Sequence, residues 1–482
     1  MTSAFLGELR RILGAAAVLQ EPLDLLTYEC DGLLHLRGTP AAVVLPESTA
    51  EVQAVVRLCA RNGVPFVPRG HGTGLSGGAV PVSGSVVIAL SRFNRVLDVD
   101  IPNQRATVQP GVTNLEITRA VAPFGYYYAP DPSSQQVCSI GGNVAENSGG
   151  AHCLKYGFTV HHVLEVEAVL PDGTIVHLGG PLADTPGPDL LGLVVGSEGT
   201  LAVVTSVTVR ILRRPETVQT LLAAFDTIDA GGAVVSDLIG GGIIPAAVEM
   251  MDALAIRAVE AAVHPGFPPA DTVLIVELDG PATEVRALFE IVEETCRARG
   301  ATTVEVAQSD ERRARIWRGR KAAFAAMGRV SPNYYVQDGV VPRTRLPEVL
   351  NRIRLLEARS GLRIGNVFHA GDGNLHPLIC YDERVAGQAD KAAEVAAEIL
   401  SYCLDAGGSL TGEHGIGIDK ACSMPKMFTD DDLALMQRVR AAFDPQGLCN
   451  PDKVFPTPRL CGEVPGPYRR HPVEQAGLAE RF

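Results

Sequence analysis

No two of the ten cysteines in this 482-residue chain stand in Cys-x-x-Cys spacing. A zinc ribbon or an iron–sulfur cluster held by this chain alone is therefore not expected. Their scatter fits a reducing compartment better than a disulfide scaffold. Aromatic residues make up 5% and tryptophan occurs once, which leaves little for stacking nucleic-acid bases. The formal net charge of -13 also argues against a nucleic-acid surface. No run approaches the ~18 apolar residues of a membrane span. Residues 1–20 are apolar but carry Glu8, Arg10 and Arg11 inside the apolar part, so a signal peptide is not expected. Together these absences predict a cytoplasmic protein, peripheral to a membrane only through a partner.

What the chain has in excess is glycine, 50 residues of it. Glycine costs backbone entropy unless geometry requires it. Apolar residues make up 46% and charged residues 20%, an ordinary globular composition. The length allows about three domains at ~150 residues each.

The densest functional signal is Asn366-Val-Phe-His-Ala-Gly-Asp-Gly-Asn-Leu-His376, with Gly412-Glu-His-Gly415 further on. His369, His376, Glu413 and His414 form a candidate metal-bearing site. Three imidazoles and a carboxylate, all in turn-forming glycine contexts, suit a divalent metal. His369 and His376 are seven apart, an odd offset that faces them oppositely on one continuous strand. Gly371-Asp372-Gly373 must therefore bend the chain. Asn374 orients a ligand or caps the turn.

Taken in order, Ala4–Leu19 reads as a helix. Ala41–Leu45 reads as a strand, Ser48 and Thr49 as a cap for a helix ending at Asn62-Gly63, and Val64–Val67 as the next strand. The stretch Pro68–Gly78 contains a formal GxGxxG from Gly72 to Gly77. A Rossmann fingerprint must open a helix. Pro81 and Gly84 make one implausible, and the strand Ser85–Leu90 follows. The loop reads instead as a backbone nest for an anion, a ligand-free flexible loop being the plainer alternative. Strands at 103–109, 163–170, 174–178 and 202–212 follow, with a helix at 114–122 and a hairpin turn at Pro171-Asp172-Gly173. Cys138–Gly150 and Leu193–Leu201 are two further glycine-rich segments. Three such loops fit a long ligand with a pyrophosphate and a ring system. From Pro215 the pattern becomes β-α-β-α, of ferredoxin-like kind. A strand at 221–225, helices at 229–240 and 252–262, a strand at 272–278 and a helix at 283–299 lead to the helical stretch Trp317–Phe324. Helices at 386–406 and 430–443 close the pattern, and the tail from Thr457 is proline-rich and loosely held.

Pro68–Gly78, Pro132-Ser133-Ser134 with Ser139–Asn143, Gly196–Thr200, His369–His376, Gly412–Gly415 and Asn450-Pro-Asp-Lys453 occur in a familiar order. That order resembles the FAD-linked 2-hydroxyacid dehydrogenases, which share the PCMH-type FAD domain. The resemblance spans about 38 to 456. Ala129–Gly150, Trp317–Lys321 and Tyr334–Asp338 look most like the branch of the glycolate oxidase flavin subunit, with D-lactate dehydrogenases close by.

The resemblance implies an α+β fold. A PCMH-type FAD-binding domain of two α/β subdomains would occupy 38–213, after an N-terminal helical segment at 1–37. A ferredoxin-like substrate domain with the metal site would occupy 214–440, and 441–482 would return to the FAD domain. Pro68, Arg69, Gly70, His71, Gly72, Thr73, Gly74, Leu75, Ser76 and Gly77 would hold the FAD pyrophosphate. Pro132, Ser133, Ser134, Gly141, Gly142, Asn143 and Gly149 would line the flavin and ribityl chain. Glu198 and Gly199 would meet the adenine side, and Asn450 would reach the flavin. The loop around His71 resembles the non-covalent branch. His369, His376 and Glu413 would ligate zinc or manganese, His414 would be the base and Arg320 the carboxylate clamp, with Asn374 beside them. Relatives acting on D-2-hydroxyglutarate carry threonine where Phe324 stands, which favours a smaller acid such as glycolate or D-lactate.

Two other classes compete. A metal-dependent hydrolase would use the same ligands but leaves three glycine loops unexplained. An electron-relay subunit without turnover sits poorly with the intact His369, His376, Glu413, His414 and Arg320. The chain has no cysteine cluster of its own, and the resemblance to the glycolate oxidase branch implies that electrons pass to an iron–sulfur partner subunit or to a quinone, cytochrome or flavoprotein, not to NAD.

Overall fold

The computed structural model describes residues 2–180 and 187–457. The tail expectation beyond Thr457 lies outside the described residues. Among them, no helix is long and apolar enough to cross a membrane.

The first helix is shorter than its apolar pattern predicts. It runs Ser3–Leu13, opens on Thr2, whose hydroxyl accepts the Phe5 N–H, and stops at Gly14 with φ 81°. Val18–Leu19, expected to be helical, is a strand paired antiparallel with Val43–Val44. That strand is Ala42–Val44, and it runs parallel to Val86–Ala89, which runs parallel to Phe66–Arg69. The helix Thr49–Asn62 connects them as expected. Ser48 caps it through the Glu51 N–H, and Gly63 ends it in the left-handed region. Its buried face, Val52, Val55, Val56, Leu58 and Cys59, covers the small sheet. No helix follows the GxGxxG; the chain returns directly to the strand Val86–Ala89.

A second sheet of five antiparallel strands has the order Val96–Asp100, Arg105–Val108, Val203–Arg210, Val163–Val169 and Ile175–Gly179. The last two form the expected hairpin, closed by Gly173 at φ 85°.

From Thr217 onward, strands and helices build a large antiparallel sheet. Its order runs Thr303–Val306, Thr217–Phe225, Thr272–Gly280, Ala247–Asp252 and Ile364–His369. Alternation with period two sorts its faces. Leu221, Ala223, Val248, Met250, Leu274 and Val276 pack under the helices Ile228–Gly240, Ala282–Ala298, Leu346–Ser360 and Gln388–Asp405. Leu222, Ala224, Met251, Val273 and Ile275 pack under Ala253–Val263 and Asp310–Ala326. The strand Ala247–Asp252 has no counterpart in the sequence pattern.

The helix Asp430–Phe443 brings the chain back to the first sheet. There Phe66 donates to the Leu448 carbonyl at 2.9 Å, and Asn450 donates to the Phe66 carbonyl at 2.8 Å. The architecture is α+β, with the two smaller sheets on one side of the site and the large sheet on the other.

Candidate active site

A cavity of about 560 Å³ opens between the small sheets and the large one. Its wall includes Pro68, Arg69, Gly70, His71, Gly72, Thr73, Gly74 and Leu75 from the first glycine loop. Gly141, Gly142, Asn143, Glu198 and Gly199 come from the other two, and Pro132, Ser133 and Ser134 from the stretch just before the second. All three loops therefore face one space, as a long ligand requires. Ser76, Gly77, Gly149 and Asn450 stand outside the wall. Asn450 braces it from behind, its amide donating to the carbonyls of Gly78 at 2.9 Å and Glu198 at 2.7 Å. Glu198 accepts the N–H groups of Ile416 and Gly417, each at 2.6 Å, and so joins the third glycine loop to the turn after His414.

The glycines let the loops pack against neighbouring protein more closely than any side chain would allow. A Cβ on Gly70 would fall 2.2 Å from Ser139 Oγ, and one on Gly141 would fall 2.6 Å from Pro110 Cβ. Ser139 caps the short helix Ile140–Glu146 by accepting the Gly142 N–H. That helix escaped the sequence reading, because Gly141 and Gly142 disfavour helix. His71 Nδ1 lies 2.6 Å from the Val137 carbonyl, which fixes the ring in the loop. The apolar and polar groups around this narrow, glycine-walled space fit a dinucleotide such as FAD.

The imidazole cluster reaches the same cavity through Glu413 and His414, while His369, His376 and Asn374 stand behind its wall. The strand Ile364–His369 ends in a tight turn, Gly373 at φ 80° donating to the His369 carbonyl at 3.2 Å. His369 then pairs with Asn374 across the turn. The bend expected at Gly371–Gly373 thus brings both histidines to one side. Their rings meet edge to face at 5.2 Å, and each Nε2 lies 3.3 Å from Glu413 Oε1. His414 stacks parallel on His376 at 4.8 Å. Glu413 and His414 line the glycine-walled cavity.

Two ligand sets are close enough to share an ion, His369–His376–Glu413 and Asp338–His376–His414, with the ligand atoms of each within 4.8 Å. Hydrogen bonding separates them. The Asp338 carboxylate already accepts from the Thr411 hydroxyl at 2.5 Å, Gly412 N at 2.9 Å, His414 N at 3.1 Å and Lys420 Nζ at 3.2 Å. His376 has both ring nitrogens buried without a hydrogen-bond partner, and so has Asn374 its Oδ1. Buried polar atoms are rarely left unpaired. His376 belongs to both sets and His414 Nδ1 is likewise buried without a partner, so these atoms fit a cation in either; the four donors already on Asp338 make its carboxylate the poorer ligand and favour the first set.

The charges follow from burial and neighbours. Burial lowers His414 to about 4, with the nearby His376 adding and Asp338 and Glu413 opposing, so the imidazole is neutral and can accept a proton. Burial alone would raise Glu413, but His369, His376 and His414 hold it down at about 2. His369 lies well above the usual histidine value: burial would lower it, and the carboxylates of Glu249 and Glu413 outweigh that.

Arg320 is buried, with its Nε 2.6 Å from Glu249 Oε2, and it is not part of the cavity wall. Glu249 also reaches His369 Nδ1 at 2.7 Å. Neither Glu249 nor Asp338 was singled out as a site residue from sequence; both carry carboxylates whose partners are distant in the chain. Phe324 lies on the wall, its ring 5.9 Å from that of His376.

The chain matches two family models, "FAD binding domain" over residues 40–179 and "FAD linked oxidases, C-terminal domain" over residues 214–454. Glycolate oxidase subunit GlcD of Escherichia coli K12 is 48% identical over 475 residues, 98% of this chain and 95% of that protein. A D-lactate dehydrogenase of Anaerostipes hadrus is 32% identical over 431 residues, 87% of this chain and 90% of that protein. The solved structure of p-cresol methylhydroxylase with substrate bound superposes with a TM-score of 0.77 at 16% identity, covering 94% of this chain and 97% of the other. That likeness shows the PCMH-type fold. With both of its halves matched and its cavity walled by three glycine loops, this chain belongs to the FAD-linked oxidase family.

Proposed function

We propose that this protein oxidises a small 2-hydroxy acid, glycolate or D-lactate, to the 2-oxo acid, using non-covalently held FAD and a divalent cation of the zinc or manganese class. The observation that carries this reading is that Glu413 and His414 line the same cavity as the glycine loops. A proton acceptor and candidate metal ligand thus share one space with the cofactor wall. Kinship to the GlcD and D-lactate dehydrogenase proteins supports the substrate class.

When bound, FAD supplies the two-electron acceptor and the cation supplies Lewis acidity toward the substrate hydroxyl. His369, His376 and Glu413 would hold the cation. Neutral His414 takes the hydroxyl proton, a role that typically contributes about 10²–10⁴-fold. Arg320, gripped along one edge by Glu249, orients the substrate carboxylate, and Asn374 completes the polar contacts. The Phe324 ring beside His376 shortens the space available to the acid, which favours a small substrate over a 2-hydroxyglutarate. The loops Pro68–Gly77, Pro132–Ser134, Gly141–Asn143 and Glu198–Gly199 hold the cofactor and keep water from it, with Gly149 and Asn450 behind them.

We assign residues 38–213 to the cofactor domain and 214–440 to the substrate domain, flanked by 1–37 and 441–482. The reduced cofactor passes its electrons to an iron–sulfur partner subunit or to a quinone, cytochrome or flavoprotein in the cytoplasm or at the membrane face. A hydrolase on the same ligands leaves the FAD-binding match without use. Anaerobic reduction of the flavin by glycolate or D-lactate tests the reading.

A further inference from the structure

We propose that Glu249 is a positioning residue that sets two parts of the site at once: it fixes His369 as an Nε2 ligand and it holds the guanidinium of Arg320. The proposal rests on the metal reading above and deepens it. Glu249 lies within the strand Ala247–Asp252, and its register partner on the strand Ile364–His369 is His369. Directly opposed residues on one face of a sheet are neighbours. The backbone ladder itself therefore places carboxylate beside imidazole.

Oε1 lies 2.7 Å from His369 Nδ1, and Oε2 accepts from Arg320 Nε at 2.6 Å, with Nη2 in ion-pair contact at 2.5 Å. The Glu249 side chain is wholly buried, and that of Arg320 is 3% exposed. A carboxylate on Nδ1 puts the ring proton there and leaves the lone pair on Nε2. Nε2 faces Glu413 Oε1 at 3.3 Å, on the side where the candidate ligand atoms converge. A carboxylate behind a ligating imidazole fixes its tautomer and raises its basicity. Arg320 in turn neutralises a carboxylate that could not be buried unpaired without a large cost. One acid thus registers the metal ligand against the residue proposed to hold the substrate.

Glutamine cannot replace it. An amide has one acceptor oxygen and a donor nitrogen. It must turn its NH₂ toward either Arg320 or the Nδ1–H of His369.

The test is Glu249→Gln in the full chain with FAD bound. Affinity for Zn²⁺ and for Mn²⁺ is read by competition with a chromophoric chelator, and the flavin-to-protein ratio is read on the same samples. The expected result is metal binding weakened by roughly 10–100-fold, a raised KM for glycolate, and an unchanged flavin ratio. Metal affinity equal to wild type overturns the proposal. Wild-type protein that binds neither ion overturns the metal reading itself, whatever the variant does. Should Glu249→Gln lose flavin, the titration is made on Glu249→Leu with Arg320→Met, which removes every acceptor from His369 Nδ1 and leaves no cation unpaired, against Arg320→Met alone. Equal affinities in that pair also overturn the proposal.

Discussion

The carboxylate of Asp338 lies behind His414 and accepts its backbone N–H at 3.1 Å, along with that of Gly412 at 2.9 Å. Lys420 Nζ donates to the same carboxylate at 3.2 Å and to the Asp338 carbonyl at 3.0 Å. One buried acid therefore holds the turn that presents Glu413 and His414 to the cavity. Replacing it with asparagine puts an NH₂ group among donors. Asp338→Asn is expected to keep its flavin and to lose about 10²-fold in kcat, the scale of an ångström-level misplacement. Steady-state kinetics beside a flavin spectrum check this; a wild-type kcat would show that the turn holds without the acid.

The proposed mechanism gives His414 the most direct chemical part. His414→Gln removes the proton acceptor and leaves His369, His376 and Glu413 in place. The expected loss in kcat is about 10²–10⁴-fold, with flavin and metal content unchanged. A variant that reduces its flavin at the wild-type rate under single turnover would remove His414 from the mechanism.

Gly70 tests the cofactor wall. A methyl group there meets Ser139 Oγ at 2.2 Å, in the cap of the helix Ile140–Glu146. Gly70→Ala is expected to lower the flavin-to-protein ratio of the purified protein and to weaken FAD on reconstitution. Gly7, within the helix Ser3–Leu13 and with nothing near its Cβ position, serves as the control; Gly7→Ala should leave flavin content untouched. Equal flavin retention in both would argue that the glycine loop does not approach the cofactor.

His152 joins the cofactor side to the large sheet. Its Nδ1 lies 2.9 Å from Asp131, its Nε2 lies 3.2 Å from Glu277, and its ring stacks on Trp317 at 5.6 Å. Burial would lower its pKa, but the two carboxylates outweigh that and raise it to about 10. A histidine with a raised folded-state pKa stabilises fully below its unfolded value of about 6.5, and the contribution fades as pH climbs toward 10. The melting temperature of wild type should therefore exceed that of His152→Gln most at pH 6, and the gap should shrink toward pH 10. A gap that stays constant across that range would show that the charge of His152 is not what ties the two sides together.

The parts of this protein that were legible in its sequence are those fixed by local geometry. Ser48 and Gly63 mark the ends of the first long helix, and the odd spacing of His369 and His376 demands the turn that Gly373 makes. What stayed hidden depends on partners far along the chain. The strand Ala247–Asp252 carries Glu249, which nothing in its neighbourhood singles out; its partners are Arg320, 71 residues on, and His369, 120 residues on. Asp338 likewise finds its donors 73 to 82 residues later. The opposite error occurred at the start, where an apolar run through Ala15–Ala17 looked helical past Gly14 although Val18 had a strand to join.

The most direct test of the central claim is an anaerobic absorbance spectrum of the purified, metal-replete protein before and after glycolate and D-lactate are added to separate samples. The account predicts flavin bands at the outset and their bleaching by at least one of the two acids, the faster marking the better substrate. Bands that neither acid bleaches would contradict the proposed substrate, and a protein that takes up no FAD even on reconstitution would contradict the account as a whole.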